Sequence, residues 1–107
     1  MNTTPEMINE AYQKIDNART DFYAATSNLS LAKQELKDTE AAAIVNGVEG
    51  KNAEQRKANL RVACVVELLA VEDAETKFSA ANHVFLLARS SVERLEMLMR
   101  YDELVAK

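Results

Sequence analysis

From Glu6 to Asn46, and again from Lys51 to the last residue, the chain contains neither glycine nor proline. Both glycines, Gly47 and Gly50, lie between these runs in the stretch NGVEGKNAEQR, and the one proline is Pro5. Inside a helix glycine costs ~1 kcal/mol and proline ~3 kcal/mol relative to alanine, so helices exclude them, whereas a β domain needs them at its many turns. With alanine, leucine, glutamate and lysine abundant, the chain reads as all-α: two long helices joined at one corner. The predicted limits are a helix over 5–46, a corner over 47–51 and a helix over 52–105. A length of 107 residues suits one domain.

The ends of these helices carry their own signals. Thr4-Pro5-Glu6 places a hydroxyl acceptor at the N-cap, proline at the first helical position and an acid near the positive end of the helix dipole. Asn46-Gly47 is a stop, because glycine readily takes a left-handed conformation just past a helix. Asn52, followed three residues later by Gln55, has the form of a capping box that restarts the chain.

Within the first helix Ile8, Ala11, Ile15, Ala18, Phe22, Ala25, Leu29, Ala32, Leu36, Thr39 and Ala43 keep a strict three-four spacing, the heptad of a coiled coil. Leu60, Cys64, Glu67, Val71, Ala74, Phe78, Ala81, Phe85, Ala88, Val92, Leu95 and Met99 do the same in the second. Large and small residues alternate along both rows. Alanine at the contacts brings helices to the short end of the ~8–10 Å range of axial separations. A corner this short makes the two helices antiparallel neighbours. The expected register sets Leu36 against Leu60 and Cys64, Phe22 against Ala74 and Phe78, and Ile15 against Ala81 and Phe85, with large residues facing small ones. A break at Ser79-Ala80-Ala81-Asn82 that folds the second helix back as a three-helix bundle is the competing arrangement.

One seam per helix does not use up the apolar side chains. Valines and leucines surround the second helix over 62–69 and 84–87. At ~1.5 Å per residue the first helix spans about 60 Å and the second about 80 Å, so the segment from Met97 to Val105 is expected to overhang. Apolar surface of that extent calls for a partner. The expected assembly is a homo-oligomer, most simply a dimer forming a four-helix bundle. Its expected contacts are Val62, Val66, Leu69, Val84, Leu87, Leu98, Tyr101 and Leu104.

No catalytic constellation emerges. His83, the only histidine, has Ser79, Ala80, Leu86 and Leu87 as its helical neighbours, none a ligand or an orienting carboxylate. Cys64, the only cysteine, sits among valines and reads as an inert core thiol, although Arg61 is near in sequence. A lone cysteine forms no internal disulfide, in keeping with a reducing compartment. Glu67 interrupts an apolar seam and is expected either to pair with Lys33 or to fix register. Glu72, Asp73 and Glu75 splay around a helix and read as a solvated face. The expectation is no enzyme activity, no cofactor and no metal.

The net charge of −4 disfavours a broad nucleic-acid face. The corner is the least acidic region: Lys51, Arg56, Lys57 and Arg61 follow the glycines, and Lys37 precedes them. Gly47 and Gly50-Lys51 lack the spacing, the Ser/Thr and the preceding strand of a phosphate-binding loop, yet a helix start after glycine offers N–H groups to an anion. These five basic residues are therefore candidates for contact with a partner or a phosphate. The N-terminus lacks a signal-peptide pattern, and the longest apolar run, Val62 to Val71, is interrupted by Glu67 and falls short of the roughly 20 residues of a membrane span. A cytoplasmic protein without a membrane partner is expected.

The corner GKNAEQRKANL between two long helices resembles small uncharacterised helical proteins of bacteriophages and prophages, some encoded near recombination or single-strand-binding genes. The resemblance implies a phage or prophage origin and a location in the host cytoplasm. Secreted helical hairpins of the WXG type are similar in length, but their central tryptophan-glycine turn is missing here. The function expected is that of a non-enzymatic, self-associating helical hairpin that binds another macromolecule. The alternative is a nucleic-acid accessory factor of phage recombination or replication that contacts phosphates through the basic corner.

Overall fold

The computed structural model describes residues 3–106, of which 91% are helical. Helix α1 is Pro5–Asn46, α2 is Ala53–Ala63 and α3 is Val65–Ala106. No strand occurs among the described residues. The two long helices, α1 and α3, pack against each other as a helical hairpin.

The helix ends follow the sequence signals. The Thr4 hydroxyl accepts the Met7 N–H at 3.2 Å and the Thr4 carbonyl accepts that of Ile8, so α1 begins at Pro5 with its first donors satisfied. At the other end Gly47, at φ +90°, donates its N–H to the Ile44 carbonyl. The Asn52 side chain accepts from the Gln55 N–H at 2.9 Å while the Gln55 side chain accepts from the Lys51 N–H at 2.8 Å, a box shifted by one residue at its outer bond.

By contacts the chain divides into two compact units, one built from residues up to Ala24 with those from Ser79 onward, the other from Ala25–Phe78. In the first unit Ile15, Ala18, Val92 and Leu95 form the buried core. Phe22 stacks on Phe85 with ring centroids 5.6 Å apart, and the Arg19 guanidinium stands 6.0 Å from the centre of the Phe85 ring. The Tyr12 hydroxyl donates to Glu96 at 3.1 Å. Thr3 donates both its N–H and its hydroxyl to the Asp102 carboxylate, at 3.0 and 2.9 Å. Those two bonds, the backbone one first, hold the Asp102 carboxyl below its usual range.

These contacts correct the expected register. Phe22 meets Phe85, seven residues beyond Phe78, so the helices are displaced by one heptad from the pairing expected. A seven-residue repeat fixes which side of each helix is buried but repeats itself after every heptad, so the rows cannot select among registers. The rule of large against small also fails at this pair, where two aromatic rings face each other. The expected overhang shrinks accordingly. Thr3 lies opposite Asp102, and only the last turn of α3 extends past it.

In the second unit the core is thinner: Ala25, Cys64 and Ala74 are buried, and Leu29, Leu36, Leu60, Val71 and Phe78 are half-buried. The corner folds tightly onto α2. The Asn59 side chain donates to the Glu49 carbonyl at 2.6 Å, and the Arg56 guanidinium to that of Gly50 at 3.4 Å.

The helix expected to run unbroken over 52–105 is interrupted at Cys64, at φ −109° and ψ 15°. Its N–H is shared between the Leu60 and Arg61 carbonyls at 3.1 and 3.2 Å, and its carbonyl accepts from Leu68 at 2.9 Å. The chain thus leaves α-helical geometry for one residue without losing either bond. Val62, Val65 and Val66 flank the break, and β-branched side chains crowd the preceding turn of a helix. By contrast α3 passes through Ser79–Asn82 without a break, so the three-helix alternative is not adopted.

Candidate functional site

The residues expected to contact a partner stand at the surface. Val62 and Val66 are 73% and 71% exposed, and Leu69 is exposed beside them in the second unit. In the first unit Val84, Leu87, Leu98, Tyr101 and Leu104 are all exposed on α3. None is engaged by the hairpin seam, which is filled by the other face of the helix.

In the first unit three of these residues, Val84, Leu87 and Leu98, line a groove. One recess of about 290 Å³ is bounded by Met7, Glu10, Ala11 and Lys14 of α1 and by Ser91, Arg94, Leu95 and Leu98 of α3. A second, of about 340 Å³, is bounded by Lys14, Asn17, Ala18 and Asp21 of α1 and by Val84, Leu87, Ala88 and Ser91 of α3. Both are bounded by Lys14 and Ser91, so the recesses adjoin. The α3 wall is apolar except for Ser91 and Arg94; the α1 wall is polar except for Met7, Ala11 and Ala18. Lys14 is 3.5 Å from Glu10. The Ser91 hydroxyl donates to the Leu87 carbonyl at 3.1 Å on its own helix.

Sequence reasoning named Val84, Leu87 and Leu98 but not Met7, Lys14, Asp21, Ser91 or Arg94. A signal was present. Val84, Leu87, Ser91, Arg94, Leu98, Tyr101 and Val105 keep the same three-four spacing as the buried seam, one helical face away. The polar residues at its middle disguise it.

The basic residues of the corner are also exposed. Arg56 and Lys57 border a recess of about 330 Å³ with Ile44, Val48 and Leu60, and Lys57 borders another with Glu54, Ala58 and Arg61. Lys37 lines neither, and Lys51 contributes its backbone N–H to the corner rather than its side chain. The helix start considered above for an anion is partly occupied by the protein itself, since Asn52 takes the Gln55 N–H and Arg56 turns back onto Gly50.

Glu67 is half-buried, but no ion pair joins it to Lys33 among the described residues. Its charge is felt instead at Cys64. Burial raises the pKa of the Cys64 thiol, and the Glu40 and Glu67 carboxylates raise it further. Arg61 is exposed and does not offset them. A thiol so placed is a poor nucleophile. With Ellman's reagent at pH 8, Cys64 is expected to react roughly tenfold or more slowly in the folded protein than in urea. Equal rates would place the thiol at the surface.

His83 is exposed on α3, and Asp73 of the acidic cluster pairs with Lys77 at 2.9 Å. Among the described residues no group of three or more His, Cys, Asp or Glu side chains is placed to hold a metal ion. Nor is any helix long and apolar enough to cross a membrane. The arrangement is that of a helical hairpin with unpartnered apolar side chains on α2 and α3. No protein-family model, curated protein or solved structure matches the chain.

Proposed function

We propose that the protein acts without catalysis, as a self-associating helical hairpin that binds another macromolecule. The observation that carries this reading is the exposure of large apolar side chains in both units, Val62, Val66 and Leu69 in one and Val84, Leu87, Tyr101 and Leu104 in the other. Isolated surface hydrophobes are ordinary, but rows of them at helical spacing are the form in which one helix offers itself to another. Two separate rows allow one to serve self-association and the other a different partner. The resemblance of the corner supports a phage or prophage setting in a host cytoplasm, with a host or phage protein as that partner.

The test is the mass in solution. Light scattering is expected to give a dimer at micromolar concentration, and a monomer up to about 100 μM would overturn the reading, since that excludes all but weak association. The reading in which the corner contacts phosphates is supported by the clustering of Arg56, Lys57 and Arg61 around two small recesses. It requires filter retention of DNA or RNA that falls steeply with salt and is lost when Lys51, Arg56 and Lys57 are replaced. Absence of retention at low salt removes it.

A further inference from the structure

We propose that the groove between α1 and α3 in the first unit receives the same groove of a second copy, across a two-fold axis at the level of Lys14 and Ser91. This rests on the self-association reading and names the surface and the symmetry that serve it.

The argument begins with charge. Four charged side chains line the groove, and Glu10 and Lys14 compensate each other at 3.5 Å. That leaves Arg94 in one half and Asp21 in the other, neither in an ion pair among the described residues. One unmatched cation and one unmatched anion, on opposite sides of a centre, are what an isologous interface uses. A two-fold axis through the centre exchanges the two halves, carrying Arg94 of each copy towards Asp21 of the other and forming two pairs at once.

The apolar side chains obey the same exchange. The operation sets Val84 and Leu87 of one α3 against Leu98 and the Arg94 stem of the other, so large apolar groups meet at both ends. At the centre the two Ser91 residues approach each other. Serine is small, and its hydroxyl is already bonded to the Leu87 carbonyl, so close approach of the helices strands no polar group. The two α3 helices run antiparallel, as do α1 and α3 within each copy, which gives a four-helix arrangement of favourable dipoles.

The experiment uses charge reversal and cross-linking on the full chain. Asp21 and Arg94 are exposed, so their replacement leaves the fold intact by circular dichroism. D21R and R94E alone are each expected to weaken the dimer at least ~10-fold by sedimentation, because each juxtaposes like charges. D21R with R94E together restores it to within about threefold of the parent. In parallel, S91C oxidised by excess glutathione disulfide, which accepts the two electrons, is expected to give a covalent dimer. S90C, one residue round the helix, gives little. A dimer indifferent to both reversals, or cross-linked equally through positions 90 and 91, overturns this interface while leaving self-association standing. A monomeric parent protein overturns both.

Discussion

Leu95→Ala is expected to remove about 2–5 kcal/mol of unfolding free energy, measured by urea denaturation followed by circular dichroism. Leu95 is 6% exposed, between Val92 and Met99 on the buried row of α3, and forms the floor of the groove beneath Ser91 and Leu98. Truncation removes the transfer free energy of the lost methyl groups and leaves a cavity that the seam cannot close. Ala11 lines the α1 side of the same groove, and alanine cannot lengthen to fill the space. Stabilities of single domains are about 5–15 kcal/mol, so the loss is a large fraction of the total. The contrast is Leu104→Ala on the same helix. Leu104 is 73% exposed, and its truncation is expected to change stability by no more than about 0.5 kcal/mol. Equal effects at the two sites would mean that the row containing Leu95 is not the core. The comparison is made at low and high protein concentration, because any self-association adds a concentration-dependent term to stability.

Which face of each helix turns inward was readable from residue spacing alone. Every α1 seam position from Ile8 to Ala43 is buried or half-buried, and so is every second-helix seam position from Leu60 to Met99. That face is decided locally, by the 3.6-residue turn and the hydrophobic effect acting on side chains of fixed position. The caps were readable for the same reason, since Thr4, Gly47 and Asn52 act on backbone groups within a few residues. Register is different. It depends on where the corner centres the hairpin, and a heptad row is indifferent to slips of seven; the Phe22–Phe85 stack, the Tyr12–Glu96 bond and the Thr3–Asp102 bonds reveal the choice made. The interruption at Cys64 was hidden because neither glycine nor proline marks it; the valines around it were a weaker sign. Glu67 was recognised as a defect in the seam, but its partner was assigned through the slipped register. Of the candidate groove, the apolar members on α3 were legible, while Met7 on α1 and the charged members were not. Arg94 and Asp21 acquire meaning only when α1 and α3 are set side by side.

Gly50→Ala is expected to destabilise the second unit more than Gly47→Ala does, although both glycines have positive φ. Gly47, at φ +90°, has open space where a side chain would begin, so alanine there meets only the backbone preference of an L-residue, a strain of about 1–3 kcal/mol. Gly50, at φ +154°, carries a comparable conformational penalty and a steric one besides. A Cβ at this position would lie 2.7 Å from the Arg56 backbone nitrogen and 3.1 Å from its Cα. The Arg56 side chain can swing aside, but the nitrogen cannot, because its N–H is bonded to the Asn52 carbonyl in the first turn of α2. Relief therefore requires the corner to lift away from α2. That movement strains the Lys51–Gln55 bond and the Asn59 bond to Glu49, which hold the same loop. Hydrogen exchange at the Lys51 and Gln55 amides should accelerate in Gly50→Ala and change little in Gly47→Ala, with a matching order in thermal midpoints. If Gly50→Ala left those amides as protected as in the parent chain, the close approach of Gly50 to Arg56 would not be what holds the corner on α2.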